Sequence, residues 1–419
     1  MSINISDKRF SEIYGSEKHV LNRQVKRYTE LSNKYRKLFP DAETNFFSTP
    51  GRTELAGNHT DHNRGRVIAA GINLDSIAAA AATGNNVITV YSAGYPEPFT
   101  VNISNLSPIN SEKGTTSALI RGIVNGFKKQ NYRIGGFNAC IESDVMVGSG
   151  LSSSASIEVL IGTILNYIYN DGKMEPIVLS RICQRAENEY FGKPCGLMDQ
   201  IACAVGGIVS IDFNEPENPV VEKIKCNFSD FDISLLVVDT GGSHHDLTAE
   251  YSSIPSEMKS VASLFGKDVC REMSKDEFFE NIRDIRIKAG DRAFLRAFHF
   301  LEENDRVVNQ VNTLRTGDMD GFLRLVRESG NSSYRWLQNC YATTNPREQG
   351  IAVALALTEK FLKGIEKGAC RVHGGGFAGT IQTFLPHKNF QDYKRLMENV
   401  FSQGCVKDLK IRNCGTVKV

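Results

Sequence analysis

Between Val147 and Ala155 the chain reads Val-Gly-Ser-Gly-Leu-Ser-Ser-Ser-Ala, and an apolar helical pattern starts directly behind it. No other stretch narrows the choice of fold as much. Glycines let the backbone curl so that several N–H groups converge, and a helix N-terminus adds a partial positive charge. Apolar residues at 157, 160, 161, 164, 165 and 168 follow helical spacing, which predicts a helix over Ser153–Tyr169. A glycine turn at such a helix start binds phosphate. Backbone groups of Gly148, Ser149, Gly150, Leu151 and Ala155 would line the cradle, and the hydroxyls of Ser152, Ser153 and Ser154 can ligate phosphate oxygens or Mg²⁺. It is not a Walker A loop, because no lysine follows the glycines. A plain serine N-cap would use the same residues, so the segment needs corroboration.

Elsewhere, strands and helices interleave irregularly. Helical stretches are expected at Val20–Lys37, Ser117–Lys129, Ile177–Tyr190 and Gly196–Ala204. Short strands are expected at Thr44–Ser48, Arg66–Gly71, Ser76–Ala82, Val87–Tyr91 and Phe137–Ser143. Beyond Asp212 a polar, proline-containing run (Asn214–Pro219) marks a boundary, which divides the chain into domains 1–214 and 215–419. The second half has a strand at Ser234–Asp239, helices from about 277 to 328 and over Pro346–Lys367, and a strand near Gly379–Phe384. Without a repeating βα unit, this predicts an α+β fold in two domains with mixed sheets.

The 49 Lys and Arg against 48 Asp and Glu leave no clustered basic face for nucleic acid. No apolar run reaches the ~20 residues of a membrane span, and Met1–Phe10 does not read as a signal peptide. A cytoplasmic protein is expected. Its ten cysteines are scattered without a CxxC pair, so buried free thiols are expected. The adjacent His244-His245 lacks the partner spacing of a metal site.

Three further segments carry chemistry. The first, Pro50–Gly65, packs Arg52, Glu54, Asn58, His59, Asp61, His62, Asn63 and Arg64 into what reads as a glycine-punctuated loop. Carboxylate, amide and imidazole groups held at fixed angles suit a ligand whose hydroxyls both donate and accept. The second, Arg185–Gln200, holds Glu187 near one helix end and Asp199 in the first turn of the next. There the dipole keeps a carboxylate ionised, so Asp199 could take a proton from a substrate hydroxyl while Glu187 holds Mg²⁺. The third, Arg371–Gly379, contains Gly374-Gly-Gly376 and permits close backbone approach.

In this order and combination the segments resemble the galactokinase branch of the kinases acting on galactose, homoserine, mevalonate and phosphomevalonate. The resemblance runs from about Thr49 to Phe384. It rests on Gly51-Arg52 through Asn63, Gly148 through Ala155, Pro194-Cys-Gly-Leu-Met-Asp-Gln200 and Gly374-Gly-Gly-Phe377. It implies two α+β domains with the active site between them, and phosphorylation of α-D-galactose to galactose 1-phosphate by ATP. Asp199 would accept or orient the anomeric hydroxyl, with Arg52 beside it. Asn58, His59, Asp61, Gly196 and Tyr251 would line the sugar. Ser153, Ser154 and Glu187 would hold Mg²⁺. The partners implied are a sugar and ATP, with neither nucleic acid nor membrane, on a monomer or weak dimer.

One departure concerns the sugar. The family signature Gly-Glu-His-Thr-Asp-Tyr-Asn stands here as Gly57-Asn-His-Thr-Asp-His-Asn63. Asn58 removes a charge and His62 replaces a tyrosine, which admits a related sugar such as N-acetylgalactosamine, arabinose or a uronic acid. A sugar and ATP sensor without turnover is the remaining alternative. Intact Ser152-Ser-Ser-Ala155, Asp199 and Arg52 speak against it.

Overall fold

Arg66–Ala82 forms one continuous strand of 17 residues, where the sequence reads as two strands separated by a turn. The polar residues that suggest the turn are held by distant parts of the chain. Asn73 exchanges hydrogen bonds with the backbone of Lys410 at 2.9 Å, and Asp75 is buried among cations and hydroxyls. Long-range partners here override local turn chemistry.

The computed structural model describes residues 7–146, 148, 150–242, 247–377 and 379–419. Ser149 and the His244-His245 pair lie outside them. Two sheets organise the chain. In the first, the long strand Arg66–Ala82 pairs antiparallel with Asn45–Ala56 on one side. On the other side its first part pairs with Ile208–Asp212 and its second part with Phe137–Ser143. The latter runs parallel to Val87–Ser92, and the C-terminal Val417–Lys418 returns to Asn45–Ala56. The second sheet is antiparallel, in the order Val406–Leu409, Ile233–Asp239, Thr380–Pro386, Ala369–Val372.

The helices Thr116–Lys129, Ser153–Asn170 and Pro176–Arg185 bury Ile120, Val124, Leu160, Ile164 and Leu179 against the first sheet. From its other face, Lys18–Leu38 packs Tyr28, Leu31 and Tyr35 on Ile77, Ala79 and Cys140. A further apolar cluster joins Leu55, Ile68 and Ile72 of the first sheet to Leu235, Val237 and Phe384 of the second. Each fully buried side chain of this kind contributes about 1.5–3 kcal/mol, so the two halves meet across a packed core. This mixed architecture agrees with the α+β expectation.

The boundary at 214/215 needs correction. Asn214–Pro219 is the turn of a hairpin, since Val220–Ile224 pairs back onto Ile208–Asp212. The first sheet therefore extends to Ile224 and also takes in the last residues of the chain. A Pro- and Asn-rich run signals a turn, and a hairpin loop uses the same residues as a linker.

Candidate active site

Pro50–Ala56 is strand, not loop: Asn45–Ala56 runs unbroken through Arg52 and Glu54. Register shifts against the neighbouring strand fall between Pro50 and Arg52 and again between Glu54 and Ala56. Irregularities of this kind re-aim side chains. Two residues apart, Arg52 and Glu54 lie on one face of the strand. Glu54 is buried with Arg371 of the second sheet. Arg52 reaches Asp199, with Nε to Oδ1 at 2.6 Å and Nη2 to Oδ2 at 2.8 Å. This two-pronged pairing uses the planar guanidinium fork fully.

Asp199 sits in the first turn of Met198–Val205 with its side chain 31% exposed, whereas that of Arg52 is 8% exposed. Burial pushes the Asp199 carboxyl up. The charge and hydrogen bonds of Arg52, with a hydroxyl from Ser152, outweigh this and hold it below its ordinary value. Asp199 is thus an ionised acceptor with an open side.

The glycine turn lies against this pair. Arg52 donates from Nη1 to the Gly150 carbonyl at 2.5 Å, and its backbone N–H donates to Leu151 O at 3.1 Å. Such closeness requires Gly51, where a Cβ would meet Leu151 O at 2.8 Å. It also requires Gly150, which has φ +69° and where a Cβ would meet Thr380 Oγ1 at 2.8 Å. The helix Ser153–Asn170 starts with its first amides uncapped by any side chain. Among the described residues, the hydroxyls of Ser153 and Ser154 have no hydrogen-bond partner. Gly148, Gly150, Leu151, Ser152, Ser153, Ser154 and Ala155 are thus gathered at one helix start.

Glu187 lies on a π-helical turn, Ala186–Phe191, a distortion common at functional sites. Its side chain is buried, with Lys193 Nζ 3.7 Å from Oε1. Gln200 is a residue that sequence reasoning missed. Its Nε2 donates at 3.1 Å both to Glu187 Oε2 and to Glu158 Oε2. Burial, reinforced by the Glu187 charge, raises the Glu158 carboxyl well above its usual range. Adjacent Asp199 and Gln200 therefore serve two different groups. Burial likewise pushes the Cys195 thiol up, so this cysteine is held as the thiol.

The expected sugar wall divides. His59 has a left-handed backbone (φ +58°) and its Nε2 lies 2.8 Å from Gly375 O. Burial pushes its imidazole down to about 4, against the opposing pull of that carbonyl, so His59 is neutral. Asp61 packs directly on Gly196, where a Cβ would lie 2.0 Å from Asp61 Oδ2. Both also line a cavity of ≈ 390 Å³ with Arg64 and Arg185, which are paired with Glu272 and Glu217. Tyr251 donates to Gly376 O at 2.7 Å, and Gly375 is a glycine because its Cβ would meet the Tyr251 ring at 2.5 Å.

Asn58 corrects the expectation. It is fully buried. Its amide donates to Gly374 O at 2.6 Å and Glu54 Oε1 at 3.2 Å, while its oxygen accepts from Asn339 at 2.7 Å and Ser333 at 3.2 Å. An amide has two donor hydrogens and two lone pairs, and all four are engaged within the chain. Asn58 ties the signature segment to Gly374–Gly376 and leaves no polar atom for a sugar hydroxyl. Consecutive carbonyls of Gly374, Gly375 and Gly376 are held by Asn58, His59 and Tyr251 in turn.

Residues 118–207 match the family model of the GHMP kinases N terminal domain. Residues 33–82 match the galactokinase galactose-binding signature. Both segments thus resemble GHMP kinases, and the first of the two in the chain is of the galactokinase type. Among curated relatives, the galactokinase of Clostridium tetani is 27% identical over 89% of this chain and 92% of its own length. That of Glaesserella parasuis is 29% identical over 86% and 90%. The fold matches that of Lactococcus lactis galactokinase complexed with galactose with a TM-score of 0.80 and 23% identity, covering 94% of this chain and 100% of that one. A mevalonate kinase structure aligns with a TM-score of 0.59 and 18% identity, over 88% and 99%. Among the described residues no helix is long and apolar enough to cross a membrane.

Proposed function

We propose that this chain transfers the γ-phosphate of ATP to the anomeric hydroxyl of α-D-galactose, forming galactose 1-phosphate and ADP. The observation that carries this is the two-pronged Arg52–Asp199 pair set against the glycine turn. A sugar hydroxyl donating to Asp199 lies beside the cation that would meet the transferring phosphoryl group. As the new O–P bond forms, the hydroxyl proton passes to the carboxylate and the bond to ADP breaks. Phosphoryl transfer needs positioning and charge neutralisation above all. The transition state is loose and releases the proton late, so a carboxylate held below its usual value is basic enough.

The residues at the glycine turn fit a divalent cation in part. Among the described residues no group of three or more carboxylate, imidazole or thiol side chains could hold a metal unaided. That suits Mg²⁺, which keeps few protein ligands and takes the rest from phosphates and water. Glu187, whose Oε2 accepts from Gln200 and whose Oε1 faces the exposed Lys193 amine at 3.7 Å, and the hydroxyls of Ser153 and Ser154 are the groups that would hold it. When bound, it neutralises phosphate charge.

Galactose is favoured over related sugars because Asn58, the residue that would argue for another, spends all its hydrogen bonds within the chain. Of the two changes in the signature, only His62 remains on an exposed edge. The test is ADP release by purified protein with MgATP on galactose, N-acetylgalactosamine, arabinose, glucose, galacturonate and no sugar. Highest kcat/KM on galactose is the expected result. A higher value on another sugar would keep the chemistry and reassign the substrate, while sugar-independent background alone would refute the kinase reading.

A further inference from the structure

Ser152 occupies the N-cap position of Ser153–Asn170, where a serine ordinarily accepts a hydrogen bond from the first turn. It does not do so. Its backbone is left-handed (φ +59°, ψ +57°), a conformation that costs a non-glycine residue free energy. Its hydroxyl instead donates to Asp199 Oδ2, which already accepts from Arg52 Nη2 at 2.8 Å. Both lone pairs of Oδ2 are therefore taken. With Arg52 Nε on Oδ1, three of the roughly four acceptor positions of this carboxylate are filled.

We infer that Ser152 couples nucleotide binding to sugar binding, its hydroxyl holding Asp199 until phosphate at the glycine turn draws it off. The inference rests on the kinase reading above. The one acceptor position left is on Oδ1; a sugar hydroxyl approaching Oδ2 competes directly with the Ser152 hydroxyl. A phosphate at the uncapped helix start presents a charged acceptor to that same hydroxyl. Once it turns to the phosphate, Oδ2 is free for the sugar. Coupling between two ligands is reciprocal, so sugar favours nucleotide by the same factor. A hydrogen bond to a charged group can exceed 1.4 kcal/mol net, which sets the expected factor at about tenfold. Ser152 is a positioning residue in this scheme, acting through Asp199.

The experiment is calorimetric titration of galactose into the full chain, with and without a non-hydrolysable ATP analogue and Mg²⁺. The wild type should bind galactose about tenfold more tightly with the nucleotide present. Ser152→Gly removes the hydroxyl and accepts the left-handed backbone without strain. It should bind galactose without nucleotide as tightly as the wild type binds it with nucleotide, so that the ratio falls to near one. Ser152→Ala, which keeps the backbone strain, should show the same loss. A role in folding alone would shift both affinities together and leave the ratio unchanged, which would overturn the inference. A wild-type ratio of one would overturn it as well. Nucleotide binding without galactose binding in any state would remove the sugar reading itself, and the coupling with it.

Discussion

Asp75 and Asp199 lie on the same sheet-and-helix layer, and each is gripped by arginine, yet they do different work. Asp75 is fully buried. Its carboxylate accepts from Arg27 at 2.7 Å, Tyr14 at 2.7 Å, Ser48 at 2.5 Å and Arg412 at 3.1 Å. Those four donors come from the helices Asp7–Tyr14 and Lys18–Leu38, the strand Asn45–Ala56 and the C-terminal tail. Asp199 has one arginine and one hydroxyl, and its side chain is 31% exposed. A carboxylate ringed by four donors and sealed from solvent holds a fold together. One left partly filled and open can take a substrate proton.

The sharpest way to break this contrast is Asp199→Asn. Turnover measured by ADP release should fall by about 10³-fold, in the range of lost general-base catalysis. The melting temperature should fall less than for Asp75→Asn, because one arginine rather than two loses its counter-charge and the Asp199 side is open to solvent. Retained turnover would take Asp199 out of the reaction and erase the distinction.

Asp75→Asn should do the reverse. Arg27 and Arg412 would be left as buried cations without their counter-charge, which costs about 3–5 kcal/mol. Urea denaturation should register that loss, while kcat per folded molecule stays close to wild type. A large fall in kcat with stability unchanged would mean that Asp75 belongs functionally with Asp199.

Arg52→Lys keeps the charge and loses the fork. We expect kcat to fall roughly a hundredfold, comparable with losing one transition-state donor, with little change in unfolding free energy. An effect on stability alone would class the Arg52–Asp199 pair with the Asp75 cluster.

The smallest effect is on pH dependence, and it separates two windows. For Asp75, burial raises the carboxyl, but Arg27 and Arg412 more than offset this and the net shift is downward. Its contribution is present above the ordinary value of about 3.9 and lost as pH falls through the depressed folded value. His59 is pushed down to about 4 by burial, against an unfolded value of about 6.5. Between these the unfolded chain binds the extra proton, so stability falls with falling pH by up to ~1.4 kcal/mol per unit. His59→Gln should flatten the profile between pH 6.5 and 4, and Asp75→Asn only below about 3.9. Denaturation at pH 7, 5.5, 4.5 and 3.5 distinguishes them, and a profile unaltered by His59→Gln would show that this imidazole is not titrating on unfolding.

Much of this site was legible in the chain. The helix over Ser153–Asn170 shows in its 3.6-residue spacing, and the strand Phe137–Ser143 was expected at its observed limits. The glycine turn, Arg52, Asp199 and Glu187 stood out because each chemistry demands particular residue types close together. Asn58 was misjudged for a physical reason. An amide in a polar run looks available, and only burial reveals that distant Asn339, Ser333 and Gly374 use all of its hydrogen bonds. Gln200 was missed because its partners, Glu158 and Glu187, are 42 and 13 residues away.

Local features could be read from the chain: helix periods, the glycine-allowed turn, and the stock of acids, bases and hydroxyls. Those follow from backbone sterics and side-chain chemistry within a few residues. Long-range packing made Arg66–Ala82 one strand and Asn214–Pro219 a hairpin turn, and it sealed one aspartate while leaving the other open. Each of these depends on burial and on partners brought from far along the chain, and burial sets how strongly a charge or an unmet hydrogen bond counts.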